Sequence, residues 1–173
     1  MVADEIGTAE TIELVDNPLT RVDDLVALRT RWAAEQGRIA NDDDPFVADF
    51  TSWLEREAEQ RRFWIASVDN QAVGMVNLLV FDRMPTVGKP GGGWGHLCNR
   101  YVDHAHRNAG LGAQLASALL HYADTTGLER VVFSPTERSR PFYPANDSRL
   151  RRFRHHAVGV RALNPPAKQH GGG

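Results

Sequence analysis

One cysteine, Cys98, in 173 residues leaves no internal disulfide to staple the fold and excludes a multi-cysteine zinc site. Long apolar runs are missing as well. The longest, Val73 to Phe81, is broken by Asn77 and falls far short of the roughly 20 residues a membrane helix requires. The opening Met-Val-Ala-Asp-Glu-Ile is acidic, where a secretory signal is basic and then apolar. What is present is ordinary for a folded domain. With 42% hydrophobic and 24% charged residues, the chain is too apolar for disorder and long enough for one sizeable core. The expectation is a soluble, cytoplasmic protein with a single domain over residues 1–163 and a loose tail at 164–173.

The net charge of −2 conceals an uneven distribution. Residues 1–60 carry 15 Asp and Glu against 5 Lys and Arg, whereas residues 61–173 carry 7 against 15. Such a division gives either an acidic side and a basic side suited to different ligands, or simply two solvated surfaces.

Periodicity sets the order of elements. Thr11–Val15 is a short β-branched strand ended by Pro18, and Thr20 with Asp23 has the spacing of a helix-opening capping box. Val22, Leu25, Leu28 and Trp32 recur at helical spacing toward Gly37. Pro45 suits the first turn of a second helix through Phe46, Phe50, Trp53 and Leu54, with Asp42, Asp43 and Asp44 just before it. Strands follow at 62–68 and 72–81, joined by a tight turn at Asp69-Asn70. After a loop rich in Pro and Gly that includes Gly91–Gly93, a strand runs from Trp94 to Val102. A helix then runs from Leu111 to Tyr122 and is stopped by Gly127, and Val131–Phe133 forms a buried strand. A short helix is expected around 139–143 and one more strand within 156–163. The order is that of a mixed α/β (α+β) domain, a sheet covered by helices.

The segment richest in chemistry is His106-Arg107-Asn108-Ala109-Gly110-Leu111-Gly112-Ala113, between a predicted strand and a predicted helix. Its glycines allow a ligand close to the backbone, the helix start offers unpaired amides and a positive dipole end, and Arg107 adds a cation. Together these describe a diphosphate site. No Gly-Lys-Ser/Thr follows, and no third glycine completes a dinucleotide fingerprint.

What remains, Arg-x-x-Gly-x-Gly after a strand ending in Tyr101-Val102, resembles the pyrophosphate motif of the GNAT superfamily of N-acetyltransferases, which bind acetyl-CoA. The element order over about residues 10–145 is similar too. The resemblance implies a mostly antiparallel central sheet with helices on both faces. It also implies acetyl-CoA as co-substrate, held by Arg107, Asn108, Ala109, Gly110, Leu111, Gly112, Ala113 and Ser139. Main-chain groups of Tyr101 and Val102 would pair with the pantetheine arm, and amides near Arg100 would meet the oxyanion. The family's tyrosine matches Tyr143, which would protonate the leaving thiolate; the other reading is a buried tyrosine with a satisfied hydroxyl. Where relatives often carry a glutamate base this chain has His96, a base near neutral pH or a structural histidine. The implied activity is transfer of an acetyl group to a primary amine of a small molecule by direct attack. The alternative is a catalytically weak CoA-binding sensor or partner module, because no Gly-Phe follows Tyr143 as it does in many relatives.

Further features leave choices open. Asp42 and Asp43, near the acceptor side of such a fold, would draw a cationic amine, or serve only in capping and solubility. His104, His106 and the His155-His156 pair lack a third ligand at useful spacing, so no metal is expected. Cys98 reads as a packing residue. The basic run Arg149, Arg151, Arg152, Arg154 and Arg161 is a solvated surface or a phosphate contact. Only Phe153 interrupts it, so neither nucleic acid nor membrane is an expected partner, and a homodimer is left open.

Overall fold

The structure, a computed structural model, describes residues 9–133 apart from 40, 42, 43, 89 and 90. Five strands form one sheet: β1 (Glu10–Val15), β2 (Arg61–Val68), β3 (Gln71–Asp82), β4 (Gly93–Val102) and β5 (Val131–Val132). They lie in chain order, antiparallel up to β4, with β5 parallel to β4. Helices α1 (Val22–Glu35) and α2 (Phe46–Glu57) intervene between β1 and β2, and α3 (Leu111–Thr125) lies between β4 and β5. The mixed, mostly antiparallel sheet expected from the sequence is observed.

Why β2 and β3 read as nearly continuous apolar runs is now plain: both faces of the sheet are covered. On one face Leu111, Leu115, Leu119 and Ala123 of α3 pack with Trp64, Ala66, Val76 and Leu78. On the other, Leu25 and Leu28 of α1 and Leu54 of α2 pack with Phe63, Ile65, Met75 and Tyr101. Alternation along β2 sends Trp64 and Ala66 to the first core and Phe63 and Ile65 to the second. The hairpin turn is as expected, with Asp69 and Asn70 both at positive φ, a conformation these short polar residues tolerate.

Two expectations for the helix starts are corrected. Thr20 and Asp23 form no capping box. Pro18 opens a short 3-10 turn, Pro18–Arg21, capped by Asn17, whose Oδ1 accepts from the Leu19 amide at 3.0 Å. The Thr20 hydroxyl donates instead to the Asn17 carbonyl at 2.8 Å, and α1 follows with no side-chain cap. Pro45 stands just before α2, not within its first turn. Asp44 Oδ1 accepts from the Phe46 amide at 2.9 Å, so this carboxylate serves as a cap.

The feature that shapes the site is a bulge in β4. Met75 opposes Tyr101 and Asn77 opposes Cys98, so Asn99 and Arg100 together face the single residue Val76. Asn99 takes φ 51°, the left-handed conformation that absorbs the extra residue. Among the described residues β5 pairs with β4 only at Gly95 and His96, before the bulge. Beyond it, no described strand lies along that edge of β4.

Leu115 is fully buried between α3 and the sheet. Leu115→Ala is expected to cost about 2–5 kcal/mol, the range for a truncated core leucine. Urea unfolding should show a lower midpoint at unchanged slope.

Candidate functional site

The chain leaves β4 at Val102 and turns through Asp103, whose Oδ1 accepts from the Ala105 amide. It then passes His104–His106 and enters α3. Asn108 at φ 67° and Gly110 at φ 88° are both left-handed, and such alternation turns successive N–H groups toward one side. Gly110 is the residue before α3, where this φ strains any residue with a Cβ. Its carbonyl accepts from the Ala113 and Gln114 amides, at 2.9 and 3.0 Å. The preceding amides of the first turn have no carbonyl of the helix within reach. No acidic residue lies in that turn to satisfy the positive end of the dipole.

Gly112 is informative for another reason. A Cβ built there meets nothing closer than Val102 Cγ2 at 3.8 Å, an ordinary contact. The protein's own packing therefore does not require glycine at this position. The space beside its backbone is open to a group approaching from outside.

The main chain of β4 divides the roles expected of Tyr101 and Val102. Asp103 N donates to Val73 O at 2.8 Å, and Tyr101 O lies beside Gly74. By the antiparallel alternation, Tyr101's main-chain groups are spent on β3 and those of Val102 face the open edge. This corrects the expectation that both residues offer main-chain groups to a ligand; Val102 alone has the orientation. Its carbonyl already accepts from Arg107 Nε at 2.9 Å.

Tyr101 contributes through its ring. The phenol donates to Glu35 Oε1 at 2.8 Å, the ring stacks on Trp32 with centroids 5.5 Å apart, and the Arg107 guanidinium lies 5.8 Å from the ring centroid. Arg107 also pairs with Glu35 Oε2. Burial alone would raise the Glu35 carboxyl, but the hydrogen bonds from Arg107 and Tyr101 outweigh it and hold the group below its ordinary value. Burial first, and the bond to Glu35 second, push the Tyr101 phenol upward, so it keeps its proton at neutral pH. A second tie, Arg31 to Asp103 at 3.4 Å, joins the same helix to the same loop. Sequence reasoning missed Glu35, 72 positions from Arg107 and marked by no motif.

His96 and Cys98 share the α1–α2 face of β4, with Cys98 Sγ 3.5 Å from His96 Nδ1. Burial pushes the Cys98 thiol up despite the nearby Arg61, which disfavours a thiolate nucleophile. On this face, against the bulge, lies a cavity of about 150 Å³. Phe46, Phe50, Trp53 and Phe63 form its walls, Met75, Asn77 and Asn99 line the sheet side, and Arg29 is its charged lining group. The sequence reading named none of these as site residues, although the spacing of Phe46, Phe50 and Trp53 on one helical face was legible. Tyr143, Ser139, Asp42 and Asp43 lie outside the described residues, as do the strand expected within 156–163, the basic run and the tail.

The Glu35 network yields a stability prediction. A carboxylate held below its ordinary value stabilises the fold above that value, and the contribution is lost as pH falls through the folded-state value. Thermal unfolding from pH 7 to pH 3 should therefore show an acid decline that is shallower in Glu35→Gln. At pH 7 the substitution is expected to cost about 1 kcal/mol, as befits a partly exposed charge-assisted pair.

Comparison with known proteins now bears on this geometry. The family model described as the Acetyltransferase (GNAT) family matches residues 25–145. Among solved structures, the chain is similar to a predicted acetyltransferase from Clostridium acetobutylicum determined with acetyl-CoA, at 20% identity and a TM-score of 0.61. That match covers 78% of this chain and 86% of the other. A ribosomal-protein-alanine N-acetyltransferase from Brucella melitensis matches at 22% identity and 0.58, over 78% and 88%. An aminoglycoside acetyltransferase from an uncultured soil sample, in complex with sisomicin, matches at 18% and 0.58, over 77% and 82%. No curated protein matches the sequence. At these identities the structural likeness establishes the fold, and the family model, spanning well over half the chain, establishes that the chain belongs to the GNAT acetyltransferase family.

Proposed function

We propose that the protein is an acetyl-CoA-dependent N-acetyltransferase acting on a primary amine of a small molecule by direct attack. The observation that carries the reading is the start of α3, with a left-handed Gly110, first-turn amides left over, and a Gly112 that internal packing does not explain. On this reading Asn108, Ala109, Gly110, Leu111, Gly112 and Ala113 hold the diphosphate of acetyl-CoA through their main chain, helped by Ser139. Val102 offers its edge to the pantetheine arm. Arg107 supports the loop as much as it meets charge, since its donors already reach Val102 and Glu35.

Acetyl-CoA supplies a thioester carbon open to attack. His96, on the same face as the cavity, takes a proton from the ammonium group directly or through water. The freed nitrogen forms the new C–N bond as the C–S bond breaks, the Tyr143 phenol gives its proton to the thiolate, and the nitrogen's second proton passes through water to the resulting phenolate. The raised Cys98 thiol supports this direct route over an acyl-cysteine intermediate. Much of the acceleration comes from holding the two reactants in line. An acceptor drawn by Asp42 and Asp43 gains no support from the described residues, since Asp44 caps α2 and the charged group at the cavity is Arg29.

Titration calorimetry with acetyl-CoA tests the reading. Micromolar binding is expected, weakened about tenfold or more in Gly112→Val while stability stays within about 0.5 kcal/mol. His96→Gln should lower kcat by about 100-fold or more and leave acetyl-CoA affinity unchanged. Folded protein that binds no acetyl-CoA would remove the assignment, and binding without turnover of any amine would make this a CoA-binding module.

A further inference from the structure

The cavity between α1, α2 and the β4 bulge is specific in what it presents. Its volume of about 150 Å³ matches that of an apolar hollow able to hold a benzene ring. Three of its rings come from one face of α2, with Phe46 and Phe50 centroids 5.7 Å apart and Phe50 and Trp53 centroids 5.5 Å apart. Phe63 and Met75 of the sheet complete an apolar slot.

Its polar lining groups are Arg29, Asn77 and Asn99. Asn77 is 2% exposed, and its Oδ1 accepts from Arg61 Nη1 at 3.1 Å, which leaves its Nδ2 to donate. Arg61 itself is paired with Glu57 at 2.9 Å, so its charge is already met. Arg29 is different. Among the described residues no carboxylate pairs with it, and its guanidinium lies 4.8 Å from the Trp32 ring centroid. Burial and the charge of Arg38 both work against its ionised state, so among the described residues the slot's cation has no anion beside it. An arginine's planar fork is suited to a carboxylate, and the Trp32 ring restrains it.

We propose that the acceptor is an amine that carries both a ring-sized apolar group and a carboxylate, as a large apolar amino acid does, with the apolar group in the slot and the carboxylate on Arg29. This rests on the transferase reading and names the substrate class of that site. Asn99, in the bulge, also lines the slot, so the slot ends against the strand that bears His96. A polycation is disfavoured at the same place, because Arg29 would repel it and none of the described lining residues is a carboxylate.

The test is calorimetric titration of L-phenylalanine, phenethylamine and spermidine into the full chain, with and without saturating CoA. L-Phenylalanine is expected to bind at least about tenfold more tightly than either of the others. Arg29→Met should abolish that preference and Arg29→Lys should restore most of it, which separates charge from packing. Failure of L-phenylalanine to bind, equal or tighter binding of phenethylamine or spermidine, or a preference that survives Arg29→Met would overturn the proposal. Should Arg29→Met fail to fold, as judged by its thermal transition, the order of the three ligands on the unsubstituted chain decides. The two readings fail separately. Binding of acetyl-CoA without L-phenylalanine refutes the acceptor class alone, whereas L-phenylalanine binding without acetyl-CoA refutes the transferase reading and keeps the ligand class of the slot.

Discussion

Glu35, in the last turn of α1, receives the Tyr101 phenol on one oxygen and Arg107 on the other, while one turn earlier Arg31 reaches Asp103. These ties fix where the chain goes after β4, and the position of the first turn of α3 follows from that. Individually such partly exposed pairs contribute little. Their joint effect is geometric: a helix on one face of the sheet anchors a loop that serves the opposite face. The aromatic stack extends the same connection, since Arg29, Trp32, Tyr101 and Arg107 are linked by ring and cation–ring contacts of 4.8, 5.5 and 5.8 Å. The rim of the aromatic cavity and the loop that leads into α3 therefore share one continuous set of contacts.

The bulge in β4 does complementary work. With Asn99 and Arg100 set against Val76 alone, side chains before and after the bulge can face the same side despite an odd count of residues. Cys98 and Tyr101 both point toward α1 and α2 for this reason. Without the extra residue Tyr101 would face α3, and the bond to Glu35 would be impossible.

Elements with strong periodicity were legible in the sequence. The spacing of Leu111, Leu115 and Leu119 marks α3, and Asp69-Asn70 marks the hairpin, because each depends on local preference and a single buried face. The glycine-bearing turn into α3 was legible because its residues are contiguous in the chain. The clamp and the cavity were not, since Glu35 meets Arg107, and Arg29 and Phe63 come to line one cavity, only after the sheet has formed. The misread helix start at Thr20 has a local cause: Asn17 and Pro18 together make a better-defined turn than the hydroxyl three residues later. Likewise, the division of labour between Tyr101 and Val102 depends on which edge of β4 each main chain faces, a property of register that no residue type announces.

The sheet separates two cores that share no buried side chain, one under α3 and one under α1 and α2. That partition has an evolutionary consequence. Residues such as Phe46 and Phe50, on the outer helix of the second core, can be exchanged without disturbing the packing of Leu111 or Leu115. Substitutions there are free to drift while the half built around α3 keeps its packing. Only the few side chains that cross between the halves, Glu35 foremost, would have to travel unchanged.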